Sequence, residues 1–227
     1  MIDVQRLSFS FGSQWVLQDV SFRVRKGEFL FLSGPSGAGK TTLIRLLHGT
    51  HRMQGGKALV AGFDLKTTPS SQLFRLRREV GVVFQDFRIL SGRTVADNVA
   101  LPLRVRGMKD EIIARRVRAV LRSLQLDTRA DRRCEELSGG EQQRVAIARS
   151  IIVNPKLLLA DEPTGNLDKP LAMRLMEVFR QFHRHGTTVV LATHNRELMA
   201  GRPEARVLTL KDGRLLSEDE DPVGRVS

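Results

Sequence analysis

Gly34-Pro35-Ser36-Gly37-Ala38-Gly39-Lys40-Thr41 has the spacing G-x-x-x-x-G-K-[ST]. Glycines at these places let backbone N–H groups converge on phosphate oxygens. The start of the following helix adds its positive dipole end. Lys40 is then placed to reach β- and γ-phosphates, and the Thr41 hydroxyl to bind Mg²⁺. A second pair stands at Asp161-Glu162 in "KLLLADEP". An acid at the carboxyl end of a core strand can hold Mg²⁺ through water, and the next acid can polarise a water for attack on a γ-phosphate. An isolated Asp-Glu pair is as a rule merely solvated. Beside a phosphate loop the pair reads as functional, and the chemistry so far is that of a nucleotide binder and no more.

These residues need a frame. "FLFLSG" at Phe29–Gly34 reads as the strand before the glycine turn, and "TTLIRLLHG" as the helix after it. "VGVVF" (Val80–Phe84), "KLLLAD" (Lys156–Asp161) and "TTVVLAT" (Thr187–Thr193) are buried-strand candidates. Between the last two, "LAMRLMEVFRQFHRHG" reads as a helix stopped by Gly186. Asp212-Gly213 between two β-rich runs signals a hairpin. The opening "IDVQRLSFSFG" and "WVLQDVSFRVRKGE" also read as strands. Strands alternating with helices predict a three-layer α/β fold with a mostly parallel sheet. Thr94–Arg133 has helical periodicity and no buried strand, so it reads as a helical insertion.

A chain of 227 residues is one domain, or one domain with a subdomain. Its 41% hydrophobic content excludes a wholly disordered chain. No apolar run approaches the roughly 20 residues of a spanning helix. No charged start leads into an apolar block, so no signal peptide is expected. One cysteine, Cys134, excludes an internal disulfide, fits a reducing compartment and reads as inert. The net charge of +12 opens three classes of partner: nucleic acid, an anionic membrane surface or an acidic protein. The excess is regional, because residues 75–133 hold 15 Lys and Arg against 7 Asp and Glu. Within "DEIIARRVRAVLRSLQL", Ile113, Val117, Val120, Leu121 and Leu124 fall at helical spacing, with Arg115, Arg116, Arg118 and Arg122 largely around the other faces. No cluster of aromatics is interleaved with the basic residues to support nucleic acid. Glu218–Asp221, followed by Pro222, reads as a solvated acidic end.

Leu137-Ser138-Gly139-Gly140-Glu141-Gln142 precedes "QRVAIARSII", an amphipathic stretch, so Ser138 and the glycines make a second anion-binding helix start. "LSGGEQ" resembles the signature motif of ATP-binding-cassette ATPases. The resemblance implies a P-loop NTPase core with a mostly parallel sheet, an N-terminal antiparallel β-subdomain and a helical subdomain at about 86–136, in one cassette over 1–227 with an acidic tail at 217–227. It implies ATP and Mg²⁺ as ligands. Thr42 joins the phosphate loop, and Thr41, Gln85 and Asp161 form the metal set. Gln85 resembles the glutamine that meets Mg²⁺ or the attacking water, and His194 in "LATHN" resembles the histidine that contacts the γ-phosphate. With Lys40 and Glu162 these two complete the catalytic set. Asn195 follows where Asp is commoner, which alters local hydrogen bonding. Phe11 stands where the family has an aromatic that stacks on adenine, with Phe9 the alternative. Asn166-Leu167-Asp168 resembles the loop that faces the dimer partner. In this family Ser138, Gly139, Gly140 and Glu141 close over the nucleotide of a second copy, so the active form is a head-to-tail homodimer.

"VGVVFQDFRIL", "RTVADNVALPL" and "LLLADEPTGNLD" are similar to the cell-division branch of the family. That branch implies a peripheral ATPase on the cytoplasmic face of the cell membrane at the septum. Its partners would be an integral membrane protein of the FtsX type and other division proteins, not nucleic acid, and its output the activation of peptidoglycan hydrolysis. Lipoprotein-releasing and macrolide-export ATPases share "ADEPTGNLD" and form the alternative. In either case the basic stretch 75–133 is expected on the helical subdomain, facing the membrane subunit and anionic headgroups.

Overall fold

The apolar runs become strands in the computed structural model of the chain, which describes residues 1–165, 167–202 and 204–216. In chain order the elements are β1 (Ile2–Phe11), β2 (Gln14–Val24), β3 (Phe29–Ser33), α1 (Lys40–Leu47), β4 (Gly55–Val60), β5 (Phe63–Asp64), α2 (Leu73–Glu79) and β6 (Val80–Val83). They continue with α3 (Val95–Val105), α4 (Asp110–Ser123), α5 (Gly139–Ile151), β7 (Leu157–Asp161), α6 (Lys169–Arg184), β8 (Thr188–Ala192), α7 (Arg196–Ala200), β9 (Arg206–Lys211) and β10 (Arg214–Leu215).

The central sheet has the order β10-β9-β3-β8-β7-β6. All its pairings are parallel except β9 with β10. Every residue of β3, β7 and β8 is buried, as a parallel sheet covered on both faces requires. Alternation along β3 divides the core. Phe29 and Phe31 join the helical cluster on one face, while Leu30 and Leu32 join the cluster of β1, β2 and α1 on the other. That second layer includes an antiparallel sheet of order β2-β1-β4-β5. The parallel register sets Leu32 and Asp161 each opposite Ala192. The segments that follow β3, β7 and β8 therefore leave from one edge, where a parallel α/β sheet places its ligand crevice.

Between β6 and β7 the chain forms α3, α4 and α5. Thr94 caps α3 by accepting from Asp97 N, as its position before an apolar repeat predicts. Ile113, Val117 and Leu121 form the buried stripe of α4 and Leu124 is buried beyond it; Arg115, Arg118 and Arg122 are exposed. A Thr94–Arg133 bridge closes the base of this segment. The Asp212-Gly213 turn forms the expected hairpin, with φ of 49° and 75°.

Three elements had no sequence signal. β4 opens on two glycines and alternates weakly; β5 is two residues long; α2 is short, charged and buries only Leu76. The charge map changes as a result. Arg75, Arg77 and Arg78 lie on α2, ahead of β6, so part of the basic excess lies outside the α3–α5 segment. Arg77, Arg78 and Arg106 nonetheless line one groove between the two. Asn166 and the acidic end at 217–227 lie outside the described residues. Among the described residues no helix is long and apolar enough to cross a membrane.

Candidate nucleotide-binding site

The turn after β3 is built on glycines that no other residue replaces. At Gly34, φ is 143° and a Cβ would lie 2.1 Å from the carbonyl oxygen of Leu210; at Gly39, φ is 105° and a Cβ would lie 2.8 Å from Leu17 Cδ2. The floor under the loop thus comes from β9, and its flank from β2. Gly39 is the N-cap of α1 and offers no side chain, which leaves the first N–H groups of the helix open to an anion. Lys40 is 7% exposed; its Nζ donates to Gly34 O at 2.7 Å and Pro35 O at 3.0 Å, and stands 3.8 Å from Glu162 Oε1.

The acids face it from β7. Asp161 ends the strand, and neither carboxylate oxygen has a hydrogen-bond partner. Burial pushes its carboxyl above the ordinary aspartate range. Neighbouring Thr41 pulls the other way, the charge of Glu162 adds to the rise, and Lys40 and Arg45 oppose it. A buried carboxylate without a partner is costly. Asp161 is not itself in the lining of the cleft that Thr41 and Gln85 share; with the neighbouring Thr41 hydroxyl and with Gln85 it offers oxygen donors of the kind that suit a hard cation such as Mg²⁺. Glu162 turns off the sheet at φ 47°, with its N–H donating to Ala192 O at 2.9 Å. His194 Nδ1 donates to Glu162 Oε1 at 2.8 Å. The resulting cleft, about 350 Å³, is lined by residues 35–42, Gln85, Glu162, His194 and Val16.

Other residues singled out in the sequence stand elsewhere. Ser138 and Glu141 form a reciprocal capping box at the start of α5. The Arg129 guanidinium and the Ser138 N–H hold the Glu141 carboxyl down to about 2. Asp168 caps α6 by accepting from Leu171 N at 2.8 Å. None of these lines the cleft, and neither do Gly139 and Gly140. Phe9 is 5% exposed and belongs to the core, so it offers no face for a base; Phe11 is 52% exposed beside it, outside the lining of the cleft. Two participants carried no motif. Val16 reaches the cleft only because β2 passes the loop. Gln143 of α5 is buried and donates from Nε2 to Glu162 O at 3.4 Å.

A lysine drawn into a glycine turn at the edge of a parallel sheet, opposite a strand-end acid, defines a P-loop nucleotide-binding protein. The family model described as ABC transporter matches residues 17–165, and the chain belongs to that family as an ABC-type ATPase that binds ATP. Among curated relatives it is similar to the cell division ATP-binding protein FtsE of Escherichia coli K12, 44% identical over 216 residues, covering 95% of this chain and 97% of that one. It is also similar to FtsE of Bacillus subtilis, 42% identical over 203 residues and covering 89% of each chain. FtsE of Mycobacterium tuberculosis is 44% identical over 204 residues, 90% of this chain and 88% of that one. Among solved structures, the ATP-binding cassette MJ0796 in a dimeric post-hydrolysis state bound to ADP and Pi has a TM-score of 0.88 and 30% identity, covering 96% of this chain and 97% of its own. A further dimeric structure of that cassette gives a TM-score of 0.89 at 31% identity, with the same coverage.

Proposed function

We propose that the chain is the ATP-hydrolysing subunit of a cell-division complex. It sits on the cytoplasmic face of the membrane at the septum, docked to an integral membrane protein of the FtsX type, and ATP binding and hydrolysis control peptidoglycan hydrolysis through that partner. The observation that carries this reading is the end-to-end match to cell division ATP-binding proteins from three distant bacteria.

In this reading Phe11 stacks on adenine. Residues 34–42 hold the phosphates, with Lys40 on the β- and γ-phosphates. Thr41, Asp161 and Gln85 hold Mg²⁺, which when bound screens the phosphate charge. Glu162 accepts the proton of the attacking water, and His194 orients the Glu162 carboxylate. Ser138, Gly139, Gly140, Glu141 and Asp168 cover the nucleotide of a second copy. Their position outside their own chain's cleft supports that, as does the dimeric state of the solved relative.

The Glu162→Gln variant tests the chemistry. It should bind MgATP, accumulate as an ATP-dependent dimer on size-exclusion chromatography and lose turnover by about 10²–10⁴-fold. Unchanged turnover refutes the base assignment. Depletion in the parent cell tests the pathway: unseparated or filamentous cells, with an FtsX-type protein co-purifying, support it. Normal division with mislocalised lipoproteins moves the chain to the lipoprotein-releasing class.

A further inference from the structure

The loop that carries Gln85 is held by a residue that the proposed ATP chemistry leaves unused. Behind Gln85 the backbone turns tightly: Phe87 N donates to Phe84 O at 3.2 Å and Arg88 N to Asp86 O at 2.6 Å. Phe87 and Arg88 are consecutive, carry Cβ atoms, and both sit in the left-handed region, at φ 52° and 51°. Such residues persist there when their surroundings enforce it.

The enforcing group comes from α5, the helix capped by Ser138. Arg149 lies in its last turn and is partly buried. Its Nη2 donates to Phe87 O at 3.2 Å and to Arg88 O at 2.7 Å. Among the described residues no carboxylate pairs with this guanidinium, so the two carbonyls of the left-handed pair are its acceptors. The far end of the loop is pinned separately. Fully buried Asn98 accepts from Leu90 N at 2.8 Å and donates to Leu90 O and Thr94 O, each at 3.0 Å. Between these anchors Asp86 accepts from Arg88 Nε at 3.1 Å and lies 3.8 Å from Arg45 of α1.

We propose that Arg149 is a positioning residue for Gln85. By fixing the two carbonyls behind Gln85, it ties the placement of α5 to the placement of that glutamine. The start of α5 serves the nucleotide of the partner copy, and Gln85 serves the chain's own. One helix therefore reports closure over one site to the water-side residue of the other. The proposal rests on the assignment of Gln85 and Ser138 above.

The test compares Arg149→Met, Arg149→Lys, Gln85→Ala and the Arg149→Met/Gln85→Ala double variant in the full chain. Three quantities are read: amide hydrogen exchange across residues 85–90, affinity for a fluorescent ATP analogue, and ATP turnover. Arg149→Met should speed exchange across 85–90 about tenfold while residues 34–42 stay protected. Turnover should fall about tenfold with affinity held within about twofold. Arg149→Lys, whose ammonium still reaches a carbonyl, should recover most of both. In the Gln85→Ala background Arg149→Met should remove no further turnover. Unchanged exchange across 85–90, or losses that add in the double variant, overturns the proposal. If thermal melting shows that Arg149→Met does not fold, the same cycle is run with Arg149→Lys, with smaller effects of the same pattern expected. Gln85→Ala turning over at the wild-type rate removes the reading beneath the proposal, whereas a slow Gln85→Ala beside a normal Arg149→Met overturns the proposal alone.

Discussion

Glu162 holds its position through a backbone conformation that its own Cβ disfavours, at a cost of about 1–2 kcal/mol. The hydrogen bonds of its N–H to Ala192 and of its carbonyl to Gln143 offset that cost. They aim the carboxylate between Lys40 and His194. His194→Ala removes the 2.8 Å contact and leaves the phosphate loop intact. It should slow turnover about tenfold or more while a nucleotide titration shows unchanged affinity. Other residues act on stability. His48 is partly buried; desolvation, then Arg77 and Arg88, lower its pKa from 6.5 to about 4. Its value in the unfolded chain is the higher one, so unfolding takes up a proton as the pH falls. Its contribution is intact above about pH 6.5, declines as the pH falls toward 4, and amounts to at most about 3 kcal/mol. Urea midpoints measured from pH 7 to 4 should fall less steeply for His48→Gln than for the wild type. Cys134 is fully buried, and burial pushes its thiol pKa up. A thiol reagent should react at a measurable rate only once denaturant opens the chain, in keeping with the inert reading.

At the scale of elements, α4 is the plainest case of pattern becoming structure: its apolar positions turn inward and Arg115, Arg118 and Arg122 face solvent. Among the described residues Arg115, Arg116 and Arg118 take no ion-pair partner, and the proposed function offers them an anionic membrane surface. Charge reversal at all three should weaken co-sedimentation with anionic vesicles, with MgATP binding unchanged; equal sedimentation would return them to a solvated role. The strands that build the crevice were legible because parallel strands buried on both faces read as continuous apolar runs. The same holds for α6 with its Gly186 stop, and for the Asp212-Gly213 hairpin. Where packing outweighs pattern, legibility ended. α2 is held by Leu76 and its neighbours rather than by its own amphipathicity. The left-handed pair at Phe87 and Arg88 has no glycine to announce it. In the site, motif spacing found Lys40, Asp161 and Glu162, and the family resemblance pointed to Gln85 and His194; the fold brings all five into or beside one cleft. Val16 and Gln143 were invisible because strand passage and helix docking place them, not type or spacing.

At the scale of the whole molecule, the central sheet is a wall between two cores, and the phosphate loop stands where chain distant in sequence meets. Its flank, β2, belongs to the first hairpin, and its floor, β9, to the last. Gln18 N donates to Gly213 O at 2.8 Å, and a Cβ at Gly213 would lie 2.5 Å from Val16 O, so the final hairpin also seats β2. A chain ending at Gly201 should therefore lose binding of a fluorescent ATP analogue, although every residue of the phosphate loop remains. The geometry also sets an order in time. The loop at Gly34 is synthesised well before the strand on which it rests, because Leu210 of β9 lies far downstream in the chain. Until β9 has been made, a nascent chain thus carries the whole motif without the floor of its pocket.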